Sequence, residues 1–297
     1  PSPTSRRRRV SWSSSRPGRS MDSLEPYRLL PEREDLDIWL IPRFAESTLK
    51  LEPDTLDHLL ANYPERGSAA KIVPGVCQWV TGANRALHYR GHELKRSKMW
   101  FQKGDPLKTK RWIRYGYTGW MYDVLPATSD IDQCAELAPA FSKYNDWCAA
   151  RGKPAANHAI VTAYRNGGDS IGFHFDKPRD IRPSSLITVV KLGEEGRPFA
   201  VREGAPAGAD RAKQPILWQG VIPPGSALVM TLEANLLTEH AVPEVEDAGL
   251  TGSIVLRTID GFKTDAELAE GMRKAEETRN RKAGARSTSS GSKRKRS

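Results

Sequence analysis

The chain has 297 residues, 38% of them apolar, which is enough for one large domain or two small ones. No apolar run approaches the roughly 18–20 residues of a membrane-spanning helix, so no membrane partner is expected. Cys77, Cys134 and Cys148 are too few and too scattered for a disulfide framework or a structural zinc site; they read as core residues in a reducing compartment. The net charge of +10 divides into +6 over residues 1–20, +7 over residues 281–297 and −3 over the rest, so the body is mildly acidic and the basicity lies in two tails.

In chain order, residues 1–21 form the first basic tail. It is rich in Ser and Arg and cannot bury enough apolar surface to fold. Arg6–Arg9 there, and Lys293–Arg296 at the other end, fit a nuclear import signal or electrostatic contact with nucleic acid. An Arg- and Ser-rich stretch without acids also fits an organelle transit segment, with Met21 as an alternative start. Thr55–Tyr63 predicts a short helix with Leu56, Leu59 and Leu60 on one face. Ser129–Arg151 predicts a longer one, carrying Leu137, Phe141, Tyr144, Trp147 and Cys148 at helical spacing, with a break or kink at Pro139 and a stop at Gly152.

After Pro154 the texture changes to short apolar runs between turn residues: His158–Tyr164, Leu186–Leu192, Phe199–Arg202, Ile216–Val221, Ala227–Leu232 and Ser253–Ile259. Strands at this spacing predict an antiparallel sandwich or barrel, and a jelly roll fits. The fold class is α+β, mainly β. Thr264-Asp265-Ala266-Glu267 is a capping box that opens a charged helix running into the second basic tail, residues 264–297.

Two separated motifs carry the chemistry. Gly172-Phe173-His174-Phe175-Asp176 lies at the centre, and Glu239-His240-Ala241-Val242 follows several strands later. On a strand, His174 and Asp176 would point to one face. His-x-Asp with a distant His is the sequence form of the 2-His-1-carboxylate triad that holds non-haem Fe(II). His58, His88, His92 and His158 read as structural or surface residues.

The run Tyr164-Arg165-Asn166-Gly167-Gly168-Asp169-Ser170-Ile171-Gly172-Phe173-His174-Phe175-Asp176 resembles the iron-binding segment of the AlkB-like family of Fe(II)/2-oxoglutarate-dependent dioxygenases. Leu192-Gly193 with Arg197-Pro198-Phe199, the strand Pro224–Met230, His240, and Gly252–Arg257 are similar to that family in the same order. The resemblance covers about residues 112–259. It implies a double-stranded β-helix (jelly-roll) core over 154–263 and an N-terminal α/β extension over 22–153 forming a substrate lid, together one dioxygenase domain over 22–263. It implies that His174, Asp176 and His240 hold Fe(II), that 2-oxoglutarate is the cosubstrate and that O2 is consumed. Arg257 and Tyr164 match positions that bind 2-oxoglutarate. Thr162 stands where the family carries Asn, and Thr251, six residues before Arg257, where it carries a second Arg.

On the substrate side, residues 85–114 hold ten Lys or Arg against Glu93 and Asp105. Trp100, Phe101, Trp112, Tyr115, Tyr117, Trp120 and Tyr122 are mixed in or follow, a pattern suited to phosphates and bases. Arg114–Tyr122 resembles the nucleotide-recognition lid of the same family, which marks Tyr115, Tyr117, Trp120 and Tyr122 as substrate residues. Lys177-Pro178-Arg179 follows the His-x-Asp motif where the family's ring-nitrogen repair enzymes carry acids, and a cation there disfavours a cationic base. The expected function is oxidative demethylation of a nucleic-acid base, DNA or RNA, by a monomeric nuclear enzyme. The alternatives are a 5-methylpyrimidine hydroxylase resembling the TET/JBP group, a protein hydroxylase or demethylase, and a non-catalytic jelly-roll binding module.

Overall fold

His158–Tyr164 is buried along its whole length, as an interior strand covered on both faces must be. In the computed structural model, which describes residues 25–66, 72–81, 88–89, 92–93, 96–114, 125–246, 248–274, 277 and 280–281, this strand lies in a sheet of ten. The basic tails and residues 115–124, with Tyr115, Tyr117, Trp120 and Tyr122, lie outside the described residues.

The strands are β1 (Tyr27–Arg28), β2 (Ile38–Ile41), β3 (Glu65–Arg66), β4 (Trp79–Val80), β5 (His88–Tyr89), β6 (His92–Glu93), β7 (Ser97–Gln102), β8 (Arg111–Ile113) and β9 (Thr128–Asp130). They continue as β10 (His158–Tyr164), β11 (Ile171–His174), β12 (Leu186–Leu192), β13 (Arg197–Glu203), β14 (Ile216–Ile222), β15 (Ala227–Thr231), β16 (Thr238–Val242), β17 (Thr251–Arg257) and β18 (Phe262–Thr264). The larger sheet runs β1-β2-β15-β12-β17-β10-β7-β4-β3, with β9 also on β7. The smaller sheet runs β11-β16-β13-β14. The chain is mainly β with a few helices.

From β10 onward the chain passes repeatedly between the two sheets: β10, β12, β15 and β17 belong to the larger, and β11, β13, β14 and β16 to the smaller. Their facing sides share one core, with Ile160, Ile187 and Leu228 of the larger sheet against Phe199, Val201 and Ile222 of the smaller. The opposite face of the larger sheet buries Val161, Ala163, Ile254 and Leu256 against Leu56 and Leu59 of the helix Thr55–Asn62 and Phe141, Tyr144 and Cys148 of the helix Ala138–Ala149. Each fully buried large aliphatic side chain in these layers contributes about 1.5–3 kcal/mol. The Tyr144 hydroxyl and Thr188 Oγ1, 2.7 Å apart, tie the helix to β12.

The residues before 154 extend this sheet at both edges: β2 pairs with β15, and β7 with β10. The long helix predicted from Ser129 begins only at Ala138. Residues 128–130 form β9, parallel to β7, and the Asp130 carboxylate accepts from the backbone N–H groups of Gly104 and Asp132. Those bonds favour a turn, and Pro139 fits in the first helical turn, where its missing N–H costs nothing. The capping box at Thr264 forms as expected: Thr264 N donates to Glu267 and Glu267 N donates to Thr264 Oγ1. Among the described residues no helix is long and apolar enough to cross a membrane.

Candidate metal centre and its cavity

Strand β11 ends at His174, whose register partner on β16 is His240. The two rings lie 4.4 Å apart between centroids. Asp176 follows beyond the strand end, so strand alternation is not what aims it. Asn235 holds it instead, accepting from Asp176 N at 2.8 Å and donating to Asp176 O at 2.7 Å. Asn235 is wholly buried, near the end of the short helix Leu232–Leu237 that leads into β16. One ligand atom from each of His174, Asp176 and His240 lies within 4.8 Å of the others.

The second sphere of contacts fits a cation. His174 Nδ1 lies 2.9 Å from the Gly172 carbonyl, which can only accept, so Nδ1 carries the proton and Nε2 is left to ligate. His240 stacks on Phe199 with centroids 5.7 Å apart, and its Nδ1 is buried without a protein partner. Arg257 donates to Asp176 Oδ2 from Nε at 2.7 Å, with Nη2 at 2.5 Å from the same oxygen. Burial opposes the charge on Asp176, but Arg257 and the two imidazoles outweigh it and hold the carboxyl well below the usual range. Burial pushes the His174 value down to about 3, helped by His240, and lowers that of His240 as well. At neutral pH the centre therefore presents two neutral imidazoles and one carboxylate, the protonation state a divalent ion requires. These residues fit Fe(II), the metal of the 2-His-1-carboxylate set.

A pH dependence follows. Burial lowers His158 and His174 from 6.5 to about 3. The unfolded chain takes up protons below about 6.5, and the folded chain does so only near 3. Stability is therefore complete above the unfolded value and falls as pH drops, by up to about 1.4 kcal/mol per pH unit for each histidine. Thermal melts of the metal-free protein should show this acid-side loss, and His158→Gln should make it shallower. A melting temperature that does not move between neutral pH and pH 5 would contradict the burial of these rings.

The triad lines a cavity of about 700 Å³ between the sheets. Thr162 and Tyr164 of β10 face it, paired across to Ser253 and Thr251 of β17. Burial pushes the Tyr164 hydroxyl up to about 12. Lys177 also lines it, half-buried beside the triad, and Phe175 is 39% exposed at the cavity. Lys98, Lys191 and Arg197 line the same space, as does Arg96. Lys191 is buried in a mostly apolar strand, and burial, reinforced by Arg197, lowers it to about 7. No sequence motif marks Lys98, Lys191 or Asn235 as site residues. A lone cation inside an apolar run was the available signal for Lys191; Asn235 had none.

The basic stretch 85–114 is not one continuous face. Arg85, Arg90 and Lys95 lie outside the described residues, and Arg96 and Lys98 turn into the cavity. Lys103, Lys108, Lys110 and Arg114 pair with Asp132, Asp105, Asp265 and Asp180, and Arg111 covers the Phe262 ring. Trp100, Phe101 and Trp112 are buried, so they are core residues and no platform for bases. Strand β7 is interior, which forces its aromatics inward.

No protein-family model and no curated protein matches this chain. Among solved structures it is similar to one described as the structure of OsALKBH1, at 14% identity and a TM-score of 0.39, over 75% of this chain and 97% of that one. It is also similar to an oxidoreductase of the 2OG-Fe(II) oxygenase family from Burkholderia pseudomallei, at 13% identity and a TM-score of 0.39, over 74% of this chain and 84% of that one. Likenesses of this degree carry neither activity nor substrate to this chain.

Proposed function

We propose that this chain is an Fe(II)- and 2-oxoglutarate-dependent dioxygenase, built on a double-stranded β-helix, that oxidises a methyl group on a nucleic-acid base. The observation that carries the reading is the convergence of His174, Asp176 and His240 on one cation-lined cavity. The passage of β10 to β17 between two facing sheets supports the β-helix. When bound, Fe(II) would supply O2 activation coupled to oxidation of a 2-oxo acid. Arg257 keeps Asp176 ionised and fixed in orientation. Arg96 and Arg197 give the cavity the charge to accept a dianionic acid, and Val189, Leu228 and Val255 keep its wall apolar and dry.

The nucleic-acid substrate is supported by the lid-like run Arg114–Tyr122, by the basic tails, and by the exposed Phe175 ring with the Arg211 guanidinium 6.0 Å from its centroid. The tails also support a nuclear location. An aromatic at the cavity mouth can replace the stacking that a base loses on leaving its helix. The cations around the cavity, Lys177 among them, disfavour a cationic base, so a neutral one such as N6-methyladenine is the better fit. Hydroxylation of a 5-methylpyrimidine is the second reading, favoured by a single arginine on β17.

Incubation with Fe(II), 2-oxoglutarate and a panel of methylated DNA and RNA oligonucleotides, followed by nucleoside mass spectrometry, tests this. Demethylation removes a CH2 unit, and stable hydroxylation adds one oxygen. Turnover on a peptide with none on any oligonucleotide would sink the nucleic-acid reading.

A further inference from the structure

Tyr164 and Thr251 are cross-strand partners on β10 and β17. Thr251 is wholly buried, carries no charge, and its hydroxyl has no hydrogen-bond partner. No cation can therefore reach the Tyr164 end of the cavity from this position of β17. Two reach it from elsewhere. Arg197, at the start of β13 in the facing sheet, is 2% exposed, and its guanidinium carbon lies 5.1 Å from the Tyr164 ring centroid. Its Nη2 donates to the Asp169 carbonyl at 2.5 Å, and Nη1 and Nη2 donate to the Asn166 carbonyl at 3.3 and 3.4 Å. Arg96 precedes β7, and its Nη1 donates to the Ser170 carbonyl at 2.6 Å.

Both guanidiniums are thus fixed by backbone carbonyls, and the Nε of each is buried with no hydrogen-bond partner. Among the described residues neither forms an ion pair within 4.0 Å with a carboxylate; the Asp169 carboxylate, the acid whose charge acts on both, accepts from Arg165 N instead. Desolvation of a cation without a direct ion-pair partner costs several kcal/mol, and a rigid pair of such cations facing a cavity is prepared for an anion.

The geometry points to Arg197, assisted by Arg96 and Tyr164, as the anchor for the far carboxylate of a dicarboxylic 2-oxo acid, in place of an arginine on the closing strand β17. The inference rests on the oxygenase reading above and makes Arg197 a specificity-determining residue: it selects a five-carbon diacid over a 2-oxo monoacid of equal length.

Calorimetric titration of the full chain loaded with Mn(II), which needs no turnover, tests it with two ligands, 2-oxoglutarate and 2-oxopentanoate. The wild type should prefer the diacid by about a hundredfold, the scale of one or two charge-assisted hydrogen bonds. Arg197→Gln should remove most of that preference and leave 2-oxopentanoate binding unchanged. Arg96→Gln, which breaks a single backbone bond, should lower diacid affinity about tenfold and likewise spare the monoacid. A merely structural role would weaken both acids together, and that result overturns the anchor. Full preference retained in Arg197→Gln, or in Arg96→Gln should the first variant fail to fold, also overturns it. A wild type that binds both acids equally overturns the anchor while leaving the oxygenase reading standing; a wild type that binds neither overturns both.

Discussion

Asp176→Ala is expected to abolish tight divalent-metal binding, a larger loss than the roughly 10- to 100-fold that removal of an outer partner costs. Two imidazoles remain, but the only carboxylate among the three ligands is gone. The same change also destabilises the protein. Arg257 and Asp176 are both almost fully buried, and removing one partner of such a pair costs about 3–5 kcal/mol because the other charge stays desolvated. The two effects separate in a double variant. Asp176→Ala with Arg257→Met should recover much of the melting temperature and none of the metal affinity. Calorimetric metal titration and thermal melts read both quantities. Unchanged metal affinity in Asp176→Ala would remove the ligand assignment.

Asn235→Ala is expected to weaken metal binding by about 10- to 100-fold although Asn235 is not one of the three ligands. Its amide closes a two-bond clamp on the backbone of Asp176, donor to acceptor in both directions. Without it the buried N–H and C=O of Asp176 lose their partner on Asn235, at about 1–3 kcal/mol of stability. The segment beyond β11 is then free to turn the carboxylate away from the two histidines. Metal affinity within twofold of the wild type, in a variant that is measurably less stable, would show that Arg257 alone orients Asp176.

Six of the strands after Pro154 were legible because their apolar runs are short and separated by strong turn residues; His158–Tyr164 and Leu186–Leu192 have the predicted bounds, whereas β11 and β16 were not among the predicted runs. The three candidate ligands were legible as residue types at a spacing, and the structure brings those side chains together. The reason for Asp176's position was not. It depends on Asn235, 59 residues away in sequence, acting on backbone atoms that every residue shares. Arg257 was visible as a cation near the end of a strand, but its contact with Asp176 depends on the packing of β17. The aromatics of β7 misled for a related reason. Basic neighbours made Trp100 and Phe101 look like a surface, and only the position of β7 inside the sheet shows that they cannot be. The helix expected from Ser129 failed at its start, where parallel pairing of β9 with β7 outweighed helical spacing.

The pairing of Asp176 with Arg257 has a mechanical consequence. His174 and His240 belong to the smaller sheet, whereas Arg257 ends β17 of the larger one. An ion held by the triad is then a rivet through both covers of the sandwich, fastened on one side by two rings and on the other through a carboxylate and its guanidinium. Occupancy at a hundred times the dissociation constant adds about 2.7 kcal/mol to the folded state. That gain should appear as slower amide exchange along β11, β16 and β17 together, so that loading the centre stiffens the walls of the cavity between the sheets.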